Sequence, residues 1–523
     1  MFEDFSVAGS HPAGEQSLVS QAALCPAVRP PESQVVDTPG GRIHVEWDAL
    51  APLTSMGQLV FFTQFLHTAN LFDPWVADCP LVYDSPNAPL VRDVLGTMFL
   101  SVLSGHHRYT HVTALRHDLV NPPLLGMTKV VSEDSMRRAF QGEEPEPIAC
   151  WQRRQLRLSY EPLLYEPWIL DVDTTVKTLY GHQEGAVAGY NPQKRGRPSH
   201  VYHTYFMGAA RLALDVEVQP GNQSASLHTQ PGLWRLVDEW PPEARPWLVR
   251  GDCAFGNEGL LAQAEARRQK FLCKLRLTRK PKDLIRQMEQ GGGWEEAGQG
   301  WEGREGVLRL QGWSAARRVI VLRRQMKERG PAAPEAKGQW QLEWKGIFPA
   351  KGPAYEYAVL VTSLGEGILT VAQLYRDRAD MENNLDELKN QWGWAGYMTR
   401  DLLRCQITAR TIALVFNWWS LFVRLADPSR RREGITSRPM LLAAVGRQTS
   451  HAGQTTVTIT AAHGAAGKIR EMLSGLSAFL RGLMTGAEQL ASGERWHRIL
   501  SKTFERQLGG RPLQRSGLAL AGP

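Results

Sequence analysis

Cysteine is scarce in this sequence. The six present (Cys25, Cys79, Cys150, Cys253, Cys273 and Cys405) are scattered with no Cys-x-x-Cys pair, which argues against both a disulfide framework and a thiolate zinc site. Such usage fits a reducing cytosol, so a cytoplasmic location is expected. Long apolar runs are missing as well. The longest, TIALVFNWWSLFV at 411–423, contains Asn417 and is flanked by Arg410 and Arg424. It is too short to span a bilayer and reads as a buried helix, so no membrane association is expected. Acids at Glu3 and Asp4, with no apolar stretch behind them, argue against a secretory signal. No internal repeat is visible. Nor is there an acidic excess: 60 Lys and Arg against 53 Asp and Glu leave a net charge of +7, which favours an anionic partner.

With 523 residues, 43% hydrophobic and 22% charged, the chain is an ordinary globular protein too long for a single core. Residues 1–50 are rich in Ser, Pro and Gly and are expected to be loose, with a short strand-like GRIHVEW. Residues 51–160 have a helical period, and Leu90, Val91, Val94, Leu95, Met98, Phe99, Val102 and Leu103 trace one face. Ser132 is placed to cap a short helix that exposes Arg137 and Arg138. A long helix followed by short ones fits a reader of DNA ends, and fits a plain bundle equally well.

From 161 to 277 three strands, a helix, a strand, a helix and a strand follow in turn, an α/β layout. The first two strands are joined by a Gly- and Lys/Arg-rich loop holding Lys194, Arg195 and Arg197, expected to touch phosphates. Residues 278–355 read as a β-rich insertion dense in tryptophan (Trp294, Trp301, Trp313, Trp340, Trp344), with a Pro/Gly linker near 330–338. The α/β pattern resumes over 356–426. Residues 427–523 hold one strand, TTVTITAAH, and an amphipathic helix with Ile469, Met472, Leu473, Leu476, Phe479, Leu480 and Leu483 on one face. That face packs on its own domain or pairs with a second subunit.

Three groups of acids stand out. In LDVDTTV, Asp171 and Asp173 point to the same face of a strand, and burying both beside Leu170 and Val172 is costly without a compensating cation or donors. Asp252 ends another strand, although Gly251 and Gly256 beside it also suit a turn. The third group lies in YRDRADMENNLDELK, residues 375–389, which reads as one continuous helix without Gly or Pro. At about 100° per residue, Tyr375, Arg378, Glu382 and Lys389 fall within one narrow stripe beside an apolar face of Leu374, Met381, Leu385 and Leu388. Asp386 lands near the stripe too, so periodicity does not single out Glu382. A solvated Arg378–Glu382 pair would contribute only a few tenths of a kcal/mol. Strand-end carboxylates joined by one from a helix would instead gather oxygen ligands suited to Mg²⁺ or Mn²⁺, and two such ions can cleave a phosphodiester.

Tyr375, Arg378, Glu382 and Lys389 carry the spacing Y-(2)-R-(3)-E-(6)-K, which resembles the signature of bacterial cut-and-paste insertion-sequence transposases with an RNase H-like DDE core. DVDTTV and RGDCAFG are similar to that family's first two acidic motifs, and the family also carries a β-rich insertion before its third acid. The resemblance covers about 165–425 and implies a mixed RNase H-like sheet with flanking helices. It implies Asp173, Asp252 and Glu382 as the metal-holding catalytic acids, Asp173 being preferred over Asp171 because the hydroxyl residue Thr174 follows it. It further implies that Arg378 and Lys389 contact phosphates, that Tyr375 bonds the DNA backbone, and that an insertion tryptophan stacks on a flipped base. The activity implied is cleavage at terminal inverted repeats and joining to target duplex DNA. Holding two ends together implies a homodimer in a synaptic assembly. A cleavage-dead derivative that only binds DNA, and an RNase H-like nuclease or resolvase without strand transfer, are the alternatives.

Overall fold

The computed structural model describes residues 34–48, 50–326, 354–460 and 463–514. Cys25, Trp340, Trp344 and the linker at 330–338 lie outside these residues. Residues up to Ala51 form one unit and those from Pro52 onward a second. In the first, Gln34–Thr38 (β1) and Gly41–Val45 (β2) pair as an antiparallel hairpin.

The second unit begins with Leu53–Thr54 (β3) and a set of helices that includes Leu59–Thr68, Val91–Leu103 and Pro145–Tyr160. In Val91–Leu103 every residue from Asp93 to Leu103 is buried, so the single apolar face read from the sequence is only part of what this helix hides. It is enclosed from several sides, and Asp93 is satisfied by the Thr128 amide at 2.8 Å and the Thr128 hydroxyl at 2.5 Å. Helices Val91–Leu103 and Pro145–Tyr160 both pack on the long helix Leu402–Ala426, so this region shares one core with the rest of the unit.

Among the described residues ten strands make one mixed sheet. They are Ile169–Thr178 (β4), Val187–Ala188 (β5), Pro198–Met207 (β6), Leu212–Pro220 (β7), Leu248–Gly251 (β8), Phe271–Lys274 (β9), Glu295–Gly298 (β10), Trp301–Leu308 (β11), Arg317–Gln325 (β12) and Tyr355–Thr362 (β13). Their order is β10-β11-β12-β13-β9-β8-β4-β6-β5, with β7 also paired to β6. The pairs β4–β8 and β8–β9 are parallel. The Trp-dense segment extends this same sheet: β12 pairs with β13 from Val319↔Val361 to Gln325↔Tyr355. Its described tryptophans are each covered by an arginine, Trp294 by Arg323 at 4.1 Å, Trp301 by Arg324 at 4.9 Å and Trp313 by Arg317 at 4.9 Å.

The apolar run at 411–423 lies within Leu402–Ala426, whose side chains are almost all buried from Cys405 to Ala426. Asn417 belongs there because its amide closes both backbone groups of Ala213 on β7, at 2.8 and 2.7 Å. No helix among the described residues is long and apolar enough to cross a membrane. Beyond it, Gly446–His451 (β14) and Gln454–Ile459 (β15) form a hairpin that reaches back to β3. The sequence shows only β15, because GRQTSH lacks the apolar alternation of a strand. Helix Ala466–Thr485 lays its apolar face on Leu59–Thr68 and Leu402–Ala426, which covers it within its own unit.

Candidate active site

The parallel register sets Val172 of β4 beside Gly251 of β8, so Asp173, midway along β4, and Asp252, just past the end of β8, follow side by side where that pairing stops, which corrects the expectation that both acids end their strands. Asp252 folds back on its own turn, its carboxylate accepting from the Ala254 amide at 2.8 Å. One step inside, Asp171 is fully buried and held by Arg250, Nε at 2.6 Å and Nη2 at 2.7 Å. Burial pushes the Asp171 carboxyl up and Arg250 opposes it. With both oxygens engaged by one guanidinium, Asp171 is closed to other ligands.

The same Arg250 changes the helix read at 375–389. Its Nη1 donates to the Leu374 carbonyl, the group that in an unbroken α-helix would accept from the Arg378 amide. The Arg378 amide turns to Tyr375 O instead, at 3.1 Å, and the chain forms two helices, Ile368–Arg376 and Ala379–Asn390. The expectation of one continuous helix is therefore corrected. No large apolar side chain lies between Tyr375 and Met381 to anchor the turn, so one buried arginine decides where it breaks. The consequence falls on Arg378, which sits at the joint with only 4% exposure instead of along the margin of a stripe.

From that joint the Arg378 guanidinium reaches Asp173 at 2.5 Å and Glu382 at 3.3 Å. Burial disfavours its charge, and Asp173 outweighs that, holding the group charged. The Asp173 carboxyl is pushed up to about 6, first by burial and further by Asp252, against the pull of Arg378. Glu382 stays exposed. Among the described residues no group of three or more His, Cys, Asp or Glu lies close enough to hold a metal ion. The donor set nevertheless suits a hard divalent cation in kind: the groups offered are carboxylate oxygens, and the two neighbouring aspartates repel one another in a water-poor place. What separates Glu382 from them is the guanidinium between.

The other residues marked in the sequence lie around this centre. Tyr375 is half-buried on the first of the two helices, and its hydroxyl is pushed up by burial. Lys389 lies near the end of the Glu382 helix and faces a cavity. Lys194 and Arg197 pack over the exposed ring of Tyr180, at 5.0 and 5.9 Å, while Arg195 is exposed. Asp386 accepts from Asn390 at 2.7 Å on the solvent side. Two residues were not legible beforehand. Arg250, in the strand that leads to Asp252, and Lys177, in the strand that holds Asp173, were not singled out, although the spacing of four between Asp173 and Lys177 on a strand was a usable signal.

Residues 90–478 match the sequence family described as Transposase DDE domain group 1, a span that contains every site residue above. No curated protein matches the chain. Among solved structures the chain is similar to piggyBac transposase in a synaptic complex with hairpin DNA, at 10% identity over 85% of each chain and a TM-score of 0.38.

Proposed function

The chain belongs to the transposase DDE domain group 1 family, and on that premise we propose that it is a DNA transposase of the insertion-sequence type, with an RNase H-like core. It binds terminal inverted repeats, cleaves phosphodiester bonds and joins the 3′ ends to target DNA as a homodimer in a synaptic complex. Asp173, Asp252 and Glu382 are its metal-holding acids. The observation that carries this reading is the placing of two aspartates side by side on adjacent parallel strands, with an arginine at a helix joint and a glutamate on the helix that follows brought against them.

Mg²⁺, with Mn²⁺ as substitute and two ions per site, would be held by these three carboxylates and would supply an activated water and a counter-charge for the leaving oxygen. The protein's own groups do the rest. Arg378, charged and buried beside Asp173, holds that carboxylate in place until a phosphate arrives as its alternative partner. Lys389 and the Lys194–Arg197 loop add positive charge along the path of the backbone, and Tyr375 donates to it.

The test is incubation of the purified protein and Mg²⁺ with a plasmid carrying the element and a supercoiled target. Sequenced junctions between element ends and target support transposition. Nicks without junctions would favour a nuclease or resolvase. Intact plasmid with bound ends would favour a cleavage-dead DNA-binding protein, in which the Arg378–Asp173 pair is permanent.

A further inference from the structure

Beside the carboxylates lies a cavity of about 190 Å³ into which three lysines project from three different elements: Lys177 from β4, Lys194 from the loop before β6, and Lys389 from the Glu382 helix. None of its lining side chains is acidic. None of the three ammonium groups forms an ion pair among the described residues. Lys177 is the most telling. It is 6% exposed, and its Nζ donates to the Gly396 carbonyl and to the Tyr202 hydroxyl at 3.4 Å, both neutral. Burial lowers its pKa to about 8, and burial lowers Lys389 as well. Placing three cations around one cavity without a carboxylate costs free energy that an entering anion would recover.

Position indicates which anion. Two elements run from the proposed metal acids to this cavity. Along β4, Asp173, Thr175 and Lys177 keep to one face, and four residues of strand cover roughly 13 Å. Along the second helix, Glu382 and Lys389 are seven residues apart, roughly 10 Å. Two of the three lysines, Lys177 on a strand and Lys389 on a helix, therefore stand a short, fixed distance from the acids, and the loop that carries Lys194 closes the third side. Its volume is that of about six waters, room for a phosphate with part of a sugar. Tyr180, 65% exposed, stands at its mouth with the Lys194 ammonium over its ring.

We propose that this cavity is a phosphate subsite of the DNA path, in which Lys177, Lys194 and Lys389 jointly hold one backbone phosphate a few nucleotides from the bond being cut. The proposal rests on the transposase reading above. It assigns Lys177 a role and gives Lys389 and Lys194 a common target.

The experiment measures, by fluorescence anisotropy without metal, binding of a labelled 20-base-pair duplex across a range of KCl concentrations. It uses the full chain and the variants Lys177→Gln, Lys194→Gln, Lys389→Gln and the triple. One shared phosphate predicts that the triple variant loses about 0.9 from the slope of log K against log salt, whereas three separate contacts would lose about 2.7. Each single variant is expected to weaken binding several-fold while melting stays cooperative. If Lys177→Gln does not fold, the Lys194→Gln/Lys389→Gln pair carries the same test: with Lys177 still on the shared phosphate the loss is above zero and no more than about 0.9, against about 1.8 for separate contacts. An unchanged slope, or a loss near the separate-contact value, overturns the subsite and leaves the transposase reading standing. A wild-type chain that does not bind DNA at all overturns that reading too. Inorganic phosphate serves as a second probe: stabilisation of the wild type by phosphate over equal chloride, with an unchanged DNA slope in the triple variant, marks a small-anion site and also overturns the proposal.

Discussion

Strand β4 carries two carboxylates on one face, two residues apart, and each meets an arginine. Asp171 and Arg250 are 0% and 2% exposed and share two hydrogen bonds. Asp173 and Arg378 are 14% and 5% exposed, share one hydrogen bond, and have an exposed glutamate as third partner. In the first pair every nitrogen and oxygen has a partner: the third guanidinium nitrogen, Nη1, donates to the Leu374 carbonyl and so fixes the joint between two helices. The second is under-bonded: the Arg378 Nε, buried, has no partner. A buried pair in which every nitrogen and oxygen has a partner is a structural clamp, whereas a buried pair with an unpartnered nitrogen next to an exposed carboxylate can exchange partners. The clamp sets the position of the exchangeable pair, since Arg378 stands at the break that Arg250 makes.

The sharpest way to break this comparison is by activity. Asp173→Asn, Asp252→Asn and Glu382→Gln are each expected to take cleavage below detection, with end binding and urea midpoint retained. Normal cleavage by any one removes that residue from the acids. The clamp should fail differently. Arg250→Met leaves Asp171 buried without its partner and is expected to cost about 3–5 kcal/mol of unfolding free energy in urea, with cleavage lost because the helix joint is lost. A stable, active Arg250→Met would show that the two pairs are independent.

The exchangeable pair gives a third test. Arg378→Gln is expected to cost about 1–3 kcal/mol of stability, while Mn²⁺ affinity by calorimetry rises about tenfold, or about 1.4 kcal/mol. It rises because Asp173 is released to the cation. Unchanged or weaker Mn²⁺ binding would mean that Arg378 does not compete for that site. The smallest effect belongs to the exposed arm: removing the Glu382 charge should change stability by no more than a few tenths of a kcal/mol, a value urea titration of Glu382→Gln can check.

Five of the six strands from Ile169 to Lys274 were legible because β-branched and aromatic runs alternate with Gly- and Pro-marked turns, whereas the two-residue β5 lies in what reads as a loop. The buried helix was legible from its unbroken apolar run, and the sequence marked Asp173 and Asp252 on two strands that the structure lays side by side and Glu382 by a spaced signature. Strand β14 was hidden because its polar side chains carry no periodicity, and its partners are β15 and the distant β3. The Trp-dense segment gave its strands away but not their destination, since a sheet edge is completed by whichever strand reaches it. The cavity lysines were individually visible and collectively silent.

By itself the sequence determined which residue types were available: carboxylates in strand-forming stretches, a Y-R-E-K spacing, an excess of cations and a long apolar helix. These are local properties, set by chemistry and by periods of two or 3.6 residues. Tertiary structure alone decided that Asp171 would be held by both arms of Arg250 and Asp173 by one arm of Arg378, and that Lys177 would meet Lys194 and Lys389. It also decided where helix 375–389 breaks. The reason is the same in each case. The partner comes from another element: Arg250 is 79 residues from Asp171 and 124 from Leu374, and no local period encodes which side chain will arrive to take a carbonyl or fill a carboxylate.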